Sequence, residues 1–512
     1  MPSRGEAENS CAHTMEPPLA DRTDAEIQRF IESNSLVWRF CMYGAIKNLQ
    51  FFEAYLLLIL MEWGYSLFQI GVLQSIMFAL TYAFEVPSGV IADHFGKKNE
   101  LLLCFVFYII SFVFYAFGDT GFGVLVLASV FYGLGEAFRS GTHKAMIMAW
   151  LDRHELGKFK TFIYSRTRSF SNLGSALNAV LSIAIIVLLD SYRLVFAISV
   201  LPFVADFLMV ATYPSYMNET PERKQSFRAI VRDTRGAMAD VLLRAAPTRN
   251  TLLASSTFMA VFTTLKHYIQ PIMVQRSDSM LAAWGVPAER RPLGTKVAIG
   301  VLYAIFYLCS AAGTRHSHRL KACFRSDKMA MDVLFTALLA IVLAIGACIA
   351  AGATAAVLPL YLLLFFVQNL WKPWSVAAVS DLMGKKRRAL VLSVDSLLQT
   401  TLQFCLAPAV GYLADAASIE AVFFVLGGTF LLLNTAVLGG GWAPPRAPVA
   451  DAAAGRAADG AVWLAEQHRL EGRASGTRAK AESDQVELIR AVEAEEADGA
   501  GHEPAPQPST VL

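Results

Sequence analysis

The chain has 512 residues, of which 55% are hydrophobic and only 17% are charged, and its formal net charge is +2. No ordinary water-soluble protein of this length needs so much apolar sequence, so the composition argues against a soluble enzyme or a soluble binding protein. We therefore expect the lipid bilayer to be the solvent of this chain, and we expect no nucleic acid among its partners.

The predicted elements begin with a polar N-terminal segment, residues 1–36, which we place in the cytoplasm. A series of apolar runs with polar flanks follows and forms a first domain, residues 37–213. Most of these runs are long enough, as helices, to cross a hydrocarbon core about 30 Å thick. The helices are predicted near 37–60, 67–91, 101–118, 122–150, 169–189 and 194–213.

A connector, residues 214–250, then breaks the apolar pattern. Within it Phe227, Val231, Met238 and Leu242 recur at roughly helical spacing among arginines. This spacing indicates an amphipathic helix lying on the inner membrane surface, or a plain basic tether that holds positive charge inside. The sequence leaves both interpretations open.

A second group of apolar runs forms a further domain, residues 251–440, and brings the total to about twelve transmembrane helices. Its helices are predicted near 251–273, 297–313, 330–352, 354–382, 389–413 and 419–440. After it, residues 441–512 are rich in Ala, Gly, Glu and Arg and have no sustained apolar face. We expect this last segment to be a disordered cytoplasmic tail.

Lysine and arginine are concentrated in the connector and in the short loops on the same side of the membrane. Because cytoplasmic loops carry the excess of these residues, both termini are predicted to be cytoplasmic. The expected location is the inner (plasma) membrane of a bacterium, with the chain as a multi-pass protein.

A charged turn between the second and third predicted helices carries the most specific motif, in the stretch EVPSGVIADHFGKKNELL, residues 85–102. Its spacing is Gly-x-x-x-Asp-basic-x-Gly-basic-basic, supplied by Gly89, Asp93, His94, Gly96, Lys97 and Lys98. This pattern resembles the loop 2-3 signature of the major facilitator superfamily, except that His94 stands where Arg or Lys is usual. The two lysines suit an anchor at the anionic inner leaflet.

The resemblance implies an all-α integral membrane protein with two six-helix bundles and a transport function by alternating access. In that family Asp93 would face the N-terminus of helix 11, which is positive by its dipole, and latch the two halves together. The corresponding stretch of the second half, residues 313–321, lacks the aspartate, so a latch is expected on one side only. Helix 5 lacks the Gly-Pro-rich signature of many drug–proton antiporters, which disfavours that branch.

Charged groups at membrane depth are functional candidates, because burying them is costly unless they are paired or face water. In the resembled family, helices 1, 4, 7 and 10 line the central cavity. The candidates on these helices are Lys47, Asn48, Gln50, Glu53, Glu136, Arg139, His143, Lys266, His267, Trp371, Lys372 and Trp374.

Within helix 4, Glu136, Arg139 and His143 share one helical face, where they could act together or form only a self-neutralising pair. Aligning EAFRSG with NLWKPW places Arg139 opposite Lys372 across the cavity. Because cations outnumber carboxylates on these helices, the sequence favours an anionic or zwitterionic small molecule.

Three carboxylates, Glu53, Glu136 and Asp395, are the candidates for coupling transport to protons. Asp395 lies near the start of helix 11, where a structural role is also open. Trp371 and Trp374, with Tyr43, could stack on an aromatic part of a solute, although such residues often only pack between helices.

Two other classes of function compete with a solute carrier. The stretch HELGK, residues 154–158, does not match the His-Glu-x-x-His pattern of zinc proteases, and no phosphate-binding Gly-Lys-Ser or Gly-Lys-Thr loop is present. We therefore expect no enzyme, no metal and no cofactor, and a monomeric protein. Efflux of amphipathic compounds and a non-transporting sensor built on the same fold stay open as alternatives.

Overall fold

The computed structural model describes residues 23–189, 191–218, 232, 236, 246–283, 285–321, 324, 326–381 and 388–434. All regular structure in these ranges is helical. The chain divides into two compact units, Met1–Gly439 and Gly440–Leu512. The features described below belong to the first unit, and the predicted connector helix around Phe227 and the predicted tail lie outside the described residues.

The described helices up to residue 218 correspond to the first predicted domain. They are α1 Asp24–Ser33, α2 Ser35–Ile46, α3 Leu56–Glu62, α4 Leu67–Phe95, α5 Lys97–Ala116, α6 Phe122–Arg139, α7 Thr142–Arg153, α8 Lys160–Leu189 and α9 Tyr192–Ala211.

The described helices from residue 246 onward correspond to the second predicted domain. They are α10 Ala246–Leu265, α11 Ile269–Ala283, α12 Arg291–Lys321, α13 Asp327–Ala350, α14 Thr354–Asp381, α15 Arg388–Ala416 and α16 Ile419–Leu433.

In the described part of the chain, nine helical stretches are long and apolar enough to cross a membrane by length and composition. The chain is thus an all-helical protein with many apolar helices of membrane-spanning length. The first and seventh predicted helices are not among the nine because each is interrupted, and α16 is an apolar helix of only 15 residues.

Three predicted helices are broken near polar residues or glycine. The first is interrupted between α2 and α3, over residues 47–55, and the seventh between α10 and α11, at Lys266–Tyr268. The fourth breaks at Gly141, whose φ of 79° lies in the left-handed region that favours glycine. The prediction of uninterrupted helices is wrong at these points. Non-helical backbone at membrane depth requires protein or a water-filled cavity around it, and the first two breaks border such a cavity.

An amphipathic helix precedes the first apolar run. It lies in the N-terminal segment that the sequence analysis described only as polar. Helix α1 begins with a capping box between Thr23 and Glu26, and its buried side chains are Ile27 and Ile31. Its acidic residues reach the start of α8: Asp24 pairs with Lys158 at 2.5 Å, and Glu32 pairs with Arg166 at 3.0 Å.

The helices pack mainly within two sequence groups. In the first, α5 packs against α6 and α9, α4 against α6, and α2 against α8. In the second, α13 packs against α14 and α16, α10 against α15, and α12 against α14. Three helix pairs join the groups: α4 with α15, α8 with α12, and α3 with α11.

The α4–α15 contact depends on small residues. A Cβ atom at Gly71 would collide with the backbone of Ala407, and one at Gly411 with the backbone of Leu67. Glycine therefore permits the close backbone approach that packed membrane helices use. At the same contact the Ser75 hydroxyl donates to the carbonyl of Phe404 at 2.8 Å.

Candidate functional site

A cavity of about 320 Å³ lies where the broken first and seventh helices meet α4, α6 and α15. One wall is apolar and includes Leu57, Leu60 and Met77. The other wall carries polar groups from both sequence groups of helices. The polar lining residues are Gln50, Glu53, Gln74, Thr81, Tyr115, Tyr132, Glu136, Thr263, Lys266, His267, Thr400 and Gln403.

A second cavity, of about 160 Å³, shares part of this lining. Gln50, Glu53, Tyr132 and Glu136 border both spaces, so the two cavities adjoin each other. The smaller one is lined in addition by Lys47, Asn48, Phe105, Tyr108, Arg139 and Phe203. We call the two spaces together the central cavity.

A charged cluster borders the smaller space, and its member Glu136 also borders the larger one. The Glu136 carboxylate accepts hydrogen bonds from the Tyr108 hydroxyl and from Arg139 Nη2, both at 2.6 Å, and Arg139 Nε donates to the Tyr108 oxygen at 3.0 Å. Charge-assisted bonds of this kind are among the stronger ones in proteins. The self-neutralising pair that the sequence left open is therefore present, with Tyr108 as its third member.

The broken seventh helix supplies a further charged group of the central cavity. Lys266 lies in the break and, like Glu53, lines the larger space. Beside it, His267 Nδ1 lies 3.1 Å from the Tyr303 hydroxyl. The fully buried Gln270 donates to the same hydroxyl at 3.0 Å and accepts the backbone N–H of Leu58 at 2.9 Å. The two broken helices are thus hydrogen-bonded to each other.

The break in the first helix is held to α8 by an asparagine. Asn48 Nδ2 donates to the carbonyl and the hydroxyl of Ser171, at 2.7 and 2.8 Å, and to the Ser175 hydroxyl at 3.1 Å. A Cβ atom at Gly174 would collide with the backbone of Ala45, so the two helices lie close together here. Lys47, which ends α2, extends over the Tyr43 ring at 5.5 Å.

Four aromatic candidates pack between helices instead of lining the central cavity. His143 stacks on Tyr43 with ring centroids 3.7 Å apart. Trp371 stacks on Phe258 at 4.0 Å and is fully buried, and Trp374 packs against Phe324 at 5.6 Å.

The structure does not bring Lys372 to the central cavity. Its side chain is exposed, and none of the described residues of α14 lines either space. In this conformation Arg139 and Lys372 therefore do not face each other across the cavity. Arg139 pairs with Glu136, and Lys266, not Lys372, lines the cavity.

Asp395 forms a local link between helices. Its side chain accepts hydrogen bonds from the hydroxyls of Ser255, at 3.2 Å, and Ser256, at 3.1 Å, which joins α15 to α10. It is not among the residues that line the central cavity.

The charged turn between α4 and α5 forms the predicted tight bend. Gly96 has a φ of 89°, and a Cβ there would collide with Asn218. Lys98 Nζ donates to the carbonyls of Ala211, at 2.8 Å, and Tyr213, at 2.7 Å, so it binds the C-terminal end of α9.

Asp93 borders a separate space of about 430 Å³, together with Gly89, Lys97, Glu100 and Leu397. Leu397 belongs to α15, whose first residues the predicted latch would use. Residues 382–387, which precede α15, lie outside the described ranges, so the latch stays a prediction.

The two sequence groups are joined firmly at the end of the molecule that carries the α3–α4 and α15–α16 turns, the predicted outer end. The Asp415 carboxylate accepts the backbone N–H groups of Leu67, at 3.1 Å, and Phe68, at 2.7 Å, and so caps the first turn of α4. Nearby, Glu62 accepts the Tyr192 hydroxyl at 2.5 Å and lies 3.6 Å from Lys296 Nζ.

Sequence reasoning missed several polar residues of the central cavity because it searched only helices 1, 4, 7 and 10. Gln74 and Thr81 come from α4, and Thr400 and Gln403 from α15. A signal was present, since Gln74 and Thr81 are seven residues apart and share one face of a long apolar helix. In the part of the chain that the structure describes, no group of three or more His, Cys, Asp or Glu residues could hold a metal ion.

Comparison with known proteins places this architecture in a family. Residues 40–321 match the family model of the Major Facilitator Superfamily. An MFS-type transporter of Bacillus subtilis (strain 168), YxaM, is 29% identical over 116 residues, a match that spans 22% of this chain and 28% of that protein.

Solved structures share the fold at low sequence identity. The nucleoside transporter NupG is 12% identical, with a TM-score of 0.63 and coverage of 79% of this chain and 99% of that one. A D-xylose–proton symporter is also 12% identical, with a TM-score of 0.58 and coverage of 78% and 96%. Since the family model covers more than half of the chain, this protein belongs to the Major Facilitator Superfamily.

Proposed function

We propose that this protein is a secondary transporter that carries a small polar solute, zwitterionic or anionic, together with protons by alternating access. The observation that carries the proposal is the polar lining of the central cavity, to which Lys266 and Glu53 both contribute. A carboxylate of the solute would bind Lys266, and an ammonium group would bind Glu53.

The remaining lining supports a solute rich in hydrogen-bonding groups. Amides and hydroxyls surround the charged pair, including Gln50, Gln74, Thr400 and Gln403. Such groups orient a ligand without contributing net charge. Proteins with this fold include a nucleoside transporter and a D-xylose–proton symporter, so polar cargo and proton coupling both suit the architecture.

Alternating access is supported by the distribution of contacts. Most helix pairs pack within one of the two sequence groups, and the pairs α4–α15, α8–α12 and α3–α11 join the groups. The Asp415 cap and the Glu62–Lys296 pair lie at the predicted outer end. Opening that end while the inner end closes would expose the central cavity to alternate sides.

Between the carboxylates of the cavity, Glu53 is the better proton carrier. Glu136 is held by Arg139 and Tyr108, whereas no described side chain donates a hydrogen bond to Glu53. A carboxyl group that borders both spaces and accepts no hydrogen bond from a described side chain can exchange protons with water in the cavity.

A thermal-shift screen of the purified protein tests the solute class. At 100 times its dissociation constant, a ligand adds about 2.7 kcal/mol of stability to the folded protein. We expect zwitterionic or anionic compounds to raise the melting temperature of the wild type and of Lys372→Ala, but not of Lys266→Ala. The two variants lose the same side chain, one inside and one outside the cavity lining. Equal shifts in both variants would contradict the assignment of Lys266.

Efflux of amphipathic compounds is a second candidate, because one wall of the central cavity is apolar. Its side chains include Phe52, Leu57, Leu60, Leu73 and Met77. If only lipophilic cations stabilise the protein and Lys266→Ala leaves that effect unchanged, this candidate replaces the polar-solute proposal.

A further inference from the structure

A carboxyl group lies buried in α9, outside the central cavity. Asp206 is fully buried, and neither of its carboxyl oxygens has a hydrogen-bond partner among the described residues. No other described aspartate or glutamate has both carboxyl oxygens buried and unpartnered. A polar group that is buried without a hydrogen-bond partner is rare in folded proteins, and its presence usually has a structural or functional explanation.

The charge state of Asp206 follows from its surroundings. Burying a carboxylate without partners costs several kcal/mol, and a group in that position becomes neutral when it can take up a proton. Helix α2, which packs against α9, ends at Lys47. Lys47 itself lines the central cavity and forms no ion pair with a described residue.

Other titratable groups lie on the elements that pack against α9 or follow it. They are Tyr43 of α2, Cys104 of α5 and Tyr213, which follows α9. Each is an uncharged group at neutral pH in its ordinary state. Helix α8 also packs against α9, but its Arg166 pairs with Glu32. His143 of α7 stacks on Tyr43 and lies 3.4 Å from the Tyr213 hydroxyl.

Asp206 lies one helical turn from a residue that lines the central cavity. Phe203, one helical turn earlier on the same helix, lines the smaller space together with Lys47. Phe203 packs against Phe105 at 6.1 Å and Tyr108 at 5.2 Å. A movement of α9 relative to α2 that displaces the Phe203 ring would open Asp206 to the cavity and to Lys47.

We propose that Asp206 is a proton-binding site, and that a proton and the ammonium group of Lys47 are its alternative partners in two conformations of the protein. In the conformation described here, Asp206 holds the proton and Lys47 faces the cavity. In the other, the proton leaves to water in the cavity and the Asp206 carboxylate pairs with Lys47. The proposal extends the proposed proton coupling to a residue outside the cavity lining, and so rests on that function.

Infrared difference spectroscopy over a range of pH tests this site on the purified protein without any solute. The wild type should show the carbonyl band of a protonated carboxyl group that Asp206→Ser lacks, and the band should fade as the pH rises. In Lys47→Gln the fading should move upward by about one pH unit or more, because no cation then stabilises the carboxylate. The control is Asp119→Asn, which removes an exposed carboxylate paired with Arg193 and should leave the band unchanged.

Two results would overturn the proposal. Identical spectra of the wild type and Asp206→Ser at every pH would show that Asp206 never holds a proton. The same titration in Lys47→Gln and the wild type would show that Lys47 is not its alternative partner. Neither result depends on a solute, so the transport proposal would stand or fall separately in the thermal-shift screen.

Discussion

At the scale of single residues, the charge that the central cavity offers to a solute depends on which of its charged side chains are already paired within the protein. Arg139 and Glu136 bind each other and Tyr108, so little of their charge is left for a solute. Lys47, Glu53 and Lys266 line the cavity and form no ion pair with a described residue. The number of cations on a helix is therefore a poor guide to the solute, because pairing within the protein removes some of them.

The Tyr108 hydroxyl is expected to stabilise the cluster between the two spaces of the cavity. Tyr108→Phe leaves one hydrogen bond of Glu136 and one of Arg139 unmade, and bonds to charged groups contribute about 2 kcal/mol each. We expect a loss of stability of that order, measured as thermal or denaturant unfolding in detergent.

The control for this variant is Tyr412→Phe, which removes the hydroxyl of an exposed tyrosine. It should unfold like the wild type. If Tyr108→Phe also unfolds like the wild type, the hydroxyl contributes nothing to the cluster.

At the scale of the elements, the sequence predicted the positions of most helices but not their breaks. Hydropathy averages over many residues, so the apolar runs around Lys47 and Lys266 conceal short non-helical segments. A break is energetically possible there because neighbouring helices and the cavity satisfy the exposed backbone groups. In the structure, Asn178 donates to the carbonyl of Gln50 in the first break, and the Tyr361 hydroxyl donates to the carbonyl of Leu265 beside the second.

Asp206 and Asp415 were missed for related reasons. Asp206 lies on the sixth predicted helix, which was not searched because the resembled family lines its cavity with other helices. The role of Asp415 depends on the packing of α15 against α4, and these elements are far apart in sequence. The glycines and charges of the loop 2-3 motif, in contrast, are local, and its turn at Gly96 could be predicted.

The Asp415 cap predicts an effect on the closure of the outer end. Asp415→Asn removes the charge that favours the first turn of α4, an interaction of about 1 kcal/mol, so opening should become up to about fivefold more favourable. In a background without the native cysteines, Thr400→Cys, which lines the cavity, should react faster with an impermeant thiol reagent added outside.

Asp119→Asn is the matched control for this experiment. Asp119 is also on the predicted outer side, but it pairs with Arg193 inside the first sequence group. Its loss should leave the labelling rate of Thr400→Cys unchanged. Equal rates in Asp415→Asn and the parent would show that the cap does not hold the outer end closed.

At the scale of the whole molecule, the chain is a member of the Major Facilitator Superfamily with an all-helical fold. The contacts that join the two sequence groups include close glycine packing of α4 on α15, the contact of α8 with α12, the contact of α3 with α11, and the polar links at the outer end. Interfaces of this type can be exchanged for others at modest energetic cost, as alternating access requires.

The most direct test of the account measures whether solute and protons cross together. Proteoliposomes containing a pH-sensitive dye receive the zwitterion or anion that stabilises the protein. We predict solute uptake with a change of internal pH for the wild type, and neither for Glu53→Gln reconstituted in equal amount. Solute uptake by the wild type without any change of internal pH would contradict the account.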